Sequence, residues 1–149
     1  MLDAVVAYLH YLGIMCLLAA LAGQHLLLTR SLDVDRARQL ARTDRVYWLS
    51  TAVVVVTGLL RMMLFGKGMA FYTGNPLFHL KMTLFGAVLL LSIYPAMQFS
   101  YLRQLVAETD RPSLREGARR RVVIMLRGGL LGMALIPLVA ALMGRGYGY

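Results

Sequence analysis

One cysteine, seven acidic residues, three histidines and one tryptophan among 149 residues leave little material for several common chemistries. Cys16 stands alone inside an apolar run, so the chain can form neither an intrachain disulfide nor a thiolate metal cluster, and Cys16 reads as a small core hydrophobe. No activated nucleophile, paired carboxylates or glycine-rich phosphate loop can be picked out, which removes the usual signatures of hydrolases and nucleotide-binding enzymes. Repeats of about 20 to 50 residues and low-complexity tracts are also missing. The first basic residue is Arg30, so the basic region of a secretory leader is absent; the first apolar run is too long for a leader and reads as a retained helix.

What the chain has in quantity is apolar surface. It is 59% hydrophobic and only 15% charged, with a mean hydropathy of +0.65, the profile of one integral membrane domain over residues 1–149. Sixteen Lys and Arg against seven Asp and Glu give a net charge of +9. The basic residues cluster between the apolar runs and form no stripe along a face, so they read as topological charge beside a lipid bilayer and not as a nucleic-acid surface.

Four runs reach the length of about 20 residues that a helix needs to cross the hydrocarbon layer. They span about 5–28, 46–65, 76–101 and 122–143. In the first, His10, Gly13, Leu17, Leu21, Gln24 and Leu28 share one stripe at 100° per residue, with His25 at its edge, and this stripe should face the bundle interior. Asp33 reads as the N-cap of a helix that continues into the second span, where Tyr47 and Trp48 mark the headgroup boundary and Arg61 lies inside the far end. Residues 66–75 read as a glycine-rich loop, followed by Asn75 as a cap and Pro76 at the first helical position. Pro95 should kink the third span. Ser113-Leu114-Arg115-Glu116 fits a capping box before the fourth. The pairs Ala19/Gly23 and Gly128/Gly132 are small-residue faces suited to close helix contact, including contact between copies of the chain.

Eleven arginines fall in the first and third connectors, from Arg30 to Arg45 and from Arg103 to Arg121, whereas the second connector carries only Lys67 and the C-terminal tail only Arg145. The positive-inside rule then places both termini on the periplasmic or outer side of a bacterial inner membrane. With that topology His10, Arg61 and Lys81 fall at similar depth in the outer half, within roughly 8 Å of the interface at 1.5 Å rise per residue. His79, Met62, Met63 and Lys67 lie slightly shallower, and His25 and Arg127 form a sparser layer at the opposite side. Charges at such depth are functional candidates by default. His79 and Lys81, about 200° apart on their helix, cannot face the same centre.

Three chemistries suit the outer layer. In the first, haem b takes His10 as an axial ligand with Lys81, His79 or a methionine opposite, while Arg61 and Lys67 pair with its propionates. In the second, copper is held by His10, His79, Met62, Met63 and Met69. In the third, Arg61 and Lys81 bind an anionic substrate with help from the N-terminus of the third helix.

Two family resemblances bear on the choice. Through Ala7-Tyr8-Leu9-His10-Tyr11-Leu12-Gly13, Thr57-Gly58-Leu59-Leu60-Arg61, Phe65-Gly66-Lys67-Gly68, Asn75-Pro76 and Leu91-Ser92-Ile93-Tyr94-Pro95, nearly the whole chain resembles a family of small bacterial membrane proteins of unknown function. More distantly, Leu9-His10, Thr57-Gly58-Leu59 and His79-Leu80-Lys81 resemble the J-type protoporphyrinogen oxidases, haem-binding four-helix membrane enzymes that convert protoporphyrinogen to protoporphyrin. That resemblance implies that His10 and Lys81 are the functional pair, serving as catalytic residues and as ligands of the haem iron. It departs from the oxidase pattern at Leu17 and at Gln24 or His25, where the oxidases carry a Trp and an Arg.

The expectation is thus an all-α four-helix membrane bundle carrying a haem b redox site on His10 and Lys81. Its competitor is a non-catalytic membrane module that oligomerises or serves as a subunit of a larger complex.

Overall fold

A computed structural model of the chain describes residues 1–65, 69–109 and 111–148, the side chain of Met69 excepted. It is all-helical among those residues: α1 (Leu2–Thr29), α2 (Val34–Leu60), a π-helical turn (Arg61–Phe65), α3 (Met69–Thr73), α4 (Pro76–Thr109) and α5 (Glu116–Gly144). Four of these helical stretches are long and apolar enough to cross a membrane, the second running through the π turn to Phe65. All four overrun the predicted spans at the connector end or the terminal end, because helix continues beyond the hydrocarbon-length core of each run.

The caps explain where several helices begin. Asp33 accepts from the Arg36 amide at 2.8 Å, as predicted. Asn75, with no exposed surface, accepts from the Leu77 amide at 2.8 Å through Oδ1 and donates through Nδ2 to the Tyr147 carbonyl at 3.3 Å. It therefore starts α4 and also ties the chain's last turn to it. The predicted capping box does not form. Helix α5 begins at Glu116 with Arg115 in the cap position and no side-chain capping bond, which puts Glu116 at the first helical position and not the third. Another correction falls in the predicted glycine-rich loop, where Met69–Thr73 coils into the short helix α3.

Packing sets the order of the helices. α1 lies along α2 and α4 along α5, while α1 meets α5 and α2 meets α4 to close a ring. α1 and α4 are consequently diagonal neighbours across the bundle axis. The interior holds Leu17, Leu21, Tyr47, Val88, Phe99 and Leu126, whereas Leu49, Leu90 and Leu131 point outward and are each more than 60% exposed. An apolar outer surface of this kind is satisfied by lipid. Burial from lipid into protein gains little hydrophobic free energy, so close packing and interhelical hydrogen bonds must hold the ring together.

The glycines supply that closeness. A Cβ on Gly13 would stand 2.9 Å from Val54 Cγ2, one on Gly132 2.6 Å from Val88 Cγ2, and one on Gly128 3.1 Å from Leu91 Cδ1. Gly23 likewise faces Thr43 of α2. The glycines of the small-residue faces thus serve contacts within the bundle. Polar stitches add to the packing. Ser92 Oγ donates to the Val88 carbonyl at 2.8 Å, so the Tyr47 hydroxyl donates to Ser92 at 2.7 Å, linking α2 to α4. Arg119 of α5 donates from Nε and Nη2 to the Leu28 carbonyl and from Nη2 to that of Arg30, at 2.9 to 3.1 Å, and so caps the C-terminal end of α1.

Candidate functional site

The end of the bundle that carries both chain termini gathers the polar residues singled out by depth. The stripe on α1 faces inward as predicted, with Gly13, Leu17, Leu21, Gln24 and Leu28 buried and His10 half-buried at its outer end. His10 lies against α2, where its Nδ1 is 2.9 Å from Thr57 Oγ1. The Thr57 hydroxyl has one proton and sits 2.5 Å from the Val53 carbonyl, one helical turn back. Donation to that carbonyl makes the hydroxyl an acceptor toward His10, so the proton of the neutral imidazole is on Nδ1 and the lone pair on Nε2. A bond of this type fixes both tautomer and ring orientation in metal-ligating histidines. Gly58 makes the fit possible, since a Cβ there would come within 3.3 Å of His10 Cε1.

Two cations complete the group. Arg61 opens the π turn and places its guanidinium carbon 5.2 Å from the centre of the Tyr11 ring. Lys81, half-buried on α4, has its ammonium 5.4 Å from the centre of the Phe78 ring. Both act electrostatically on His10, and Arg61 acts on Lys81. Neither cation forms an ion pair among the described residues; the ion pairs found there join Arg36 to Asp33 and Arg38 to Asp35 at the opposite end. Three elements thus bring an oriented imidazole and two uncompensated positive charges together beside the same end of the ring. The Arg61 turn matters because a π turn shifts side chains out of the α-helical register, and such turns recur at functional sites.

The other predicted residues fare differently. His79 is exposed and turned away: its Nε2 donates to the Thr73 carbonyl at 2.9 Å, engaging the C-terminal end of α3. Lys67 lies outside the described residues, as does the side chain of Met69. Met62 is half-buried and Met63 exposed in the π turn. No group of three or more His, Cys, Asp or Glu side chains capable of holding a metal ion occurs among the described residues. In the opposite layer Arg127 Nε donates to His25 Nε2 at 3.2 Å, joining α5 to α1.

Sequence reasoning had Thr57 and Gly58 only as parts of a motif and gave Tyr11 no role. Spacing carried a signal for Thr57: it precedes Arg61 by four residues and so shares a helix face with it.

The comparisons with known proteins agree with the membrane architecture. The model of a family described as "Predicted membrane protein (DUF2214)" matches residues 2–148. No curated protein matches the chain, and no solved structure does.

Proposed function

The chain belongs to that family of predicted membrane proteins, and within it we propose a redox protein that holds haem b at the terminal end of the bundle, in the manner of the haem-containing protoporphyrinogen oxidases. The observation that carries the reading is the His10–Thr57 bond, which leaves Nε2 of an oriented neutral imidazole available as a ligand atom. The remaining donor set fits as well. Lys81, on the helix diagonal to α1, would be the second residue to hold the group, in its neutral form. Arg61, a cation with no carboxylate partner among the described residues, would pair with the propionates, and Lys67, outside those residues, is proposed beside it from the sequence alone. His10 and Lys81 would thus be the catalytic pair, while His79, engaged by the Thr73 carbonyl, takes no part.

When bound, haem b supplies a one-electron couple within the membrane. The chain's part is to bind and orient. Thr57 holds the His10 ring, Gly58 leaves it room, and Arg61 fixes an anionic edge from the π turn. Bound there, the group would supply electron exchange with a membrane-dissolved substrate or quinone. Orientation follows from charge: eleven arginines at the connector end place the termini and the His10 group toward the periplasm or exterior of an inner membrane.

The test is spectroscopic. Protein expressed with ample haem supply and purified in mild detergent should show a Soret band and a pyridine haemochrome, and His10→Ala should lose them. Colourless wild-type protein would end the proposal.

A further inference from the structure

A second feature lies at the opposite end, between α2 and α4. A groove of about 670 Å³ opens there on the outer face of the bundle. Ile93, Ala96 and Met97 form its apolar stretch, and Trp48, Tyr101 and Asp44 surround its polar end. Ile93 and Tyr101 are eight residues apart on α4, so the groove runs about 12 Å from apolar depth to the arginine-rich connector end. Trp and Tyr at such a boundary mark the headgroup level of a bilayer.

A carboxylate in this position needs a reason. Asp44 is half-buried, with its Oδ1 accepting from Gln24 Nε2 at 3.3 Å and Trp48 one helical turn further along the same groove. An ionised carboxylate offers about four acceptor positions, and Asp44, which lines the groove, has acceptor capacity beyond the bond to Gln24. Arg103 is exposed and close enough to act on Asp44 electrostatically, yet the two form no ion pair among the described residues. Asp44 thus lines the groove, and the exposed Arg103, next in sequence to Gln104 of the lining, lies just beyond its rim without an ion pair to Asp44.

We propose that this groove binds a phospholipid whose headgroup carries a primary ammonium, with the ammonium on Asp44, the phosphate on Arg103 and one acyl chain along Ile93, Ala96 and Met97. Charge complementarity selects that headgroup. An anionic lipid without an amine meets the Asp44 charge with nothing to offer it. A trimethylammonium headgroup has the charge but no N–H to donate to the open carboxylate positions. Charge-assisted hydrogen bonds are worth enough to separate primary from quaternary amine by about tenfold in retention.

The full chain, stripped of lipid in mild detergent, is exposed to equal amounts of phosphatidylethanolamine, phosphatidylcholine and phosphatidylglycerol with identical acyl chains, and retained lipid is counted by native mass spectrometry. Wild-type protein should keep one phosphatidylethanolamine, about tenfold over phosphatidylcholine. Asp44→Asn should bring that ratio close to one. Arg103→Gln, on the exposed rim, should weaken retention of phosphatidylethanolamine and phosphatidylglycerol alike. Equal retention of the lipids by wild-type protein overturns the proposal even if Asp44→Asn cannot be purified. Preference for phosphatidylglycerol overturns it too, as does a preference for phosphatidylethanolamine that survives in Asp44→Asn.

Discussion

Replacing Thr57 by valine removes one oxygen from the bundle and should disable His10 without touching it. Valine keeps the branched shape and fills the same space, so packing against Val53 and Val54 is preserved. What disappears is the acceptor 2.9 Å from His10 Nδ1. The imidazole then loses its side-chain acceptor in a half-buried position, a loss of about 1 kcal/mol if solvent reaches the Nδ1–H and up to about 3 if it does not. The half-exposure of His10 favours the lower figure. The functional effect should be larger than the stability effect, because the ring is free to turn and to exchange tautomers; outer-sphere partners of metal-ligating histidines change affinity by about 10 to 100-fold. Thr57→Ser keeps the hydroxyl and should restore affinity to within a few-fold of wild type, a rescue that simple destabilisation would not give. Haem titration followed at the Soret band measures the affinity. Nitrogen NMR of the His10 ring checks the premise independently of any cofactor. A neutral ring protonated on Nε2 in wild-type protein would refute the assigned tautomer, and a Thr57→Val variant that binds haem like wild type would refute the role given to Thr57.

Gly132→Ala should lower stability by about 1 to 3 kcal/mol, since its methyl would meet the stiff Val88 side chain at 2.6 Å; thermal melts in detergent should show this, with recovery in the double variant Gly132→Ala/Val88→Ala. Arg119→Met removes the donors that cap Leu28 and Arg30 and should cost about 1 to 2 kcal/mol, with faster amide exchange confined to the last turn of α1 and the residues after it. An unchanged exchange pattern would deny Arg119 that capping role. Cysteines placed at Leu2 and Tyr147 in a Cys16→Ser background should react with an impermeant thiol reagent added outside intact cells. Labelling only after the cells are opened would reverse the topology.

The four helices were legible because a bilayer imposes its own ruler: uninterrupted apolar length, arginines at one end and caps such as Asp33 and Asn75 are written locally. The inward face of α1 was legible for the same reason, since periodicity within one helix reveals which side avoids lipid. Which helix that side meets is set by the whole ring. Gly128 and Gly132 looked suited to contact between copies, yet Leu91 and Val88 of α4 occupy the space beside them. His79 and Lys81 could be separated by angle alone, but the engagement of His79 by Thr73 depends on α3, whose five residues looked like loop. Ser113 and Glu116 have capping-box spacing, but helix begins too late for the box to form. The pairing of His25 with Arg127 joins residues far apart in the chain, beyond any local pattern.

The contact between Asn75 and the end of the chain bears on assembly. Tyr147 reaches Asn75 with its carbonyl, and Gly148, at φ +95°, sits where any Cβ would press within 2.7 Å of the Asn75 side chain. A chain made from its N-terminus has α1, α2 and α4 available before this latch exists. The contact therefore forms only once α5 has been made, and it ties the segment after α5 to the first turn of α4. A side chain in place of Gly148 would press on Asn75 and loosen this tie while leaving the four spans themselves intact.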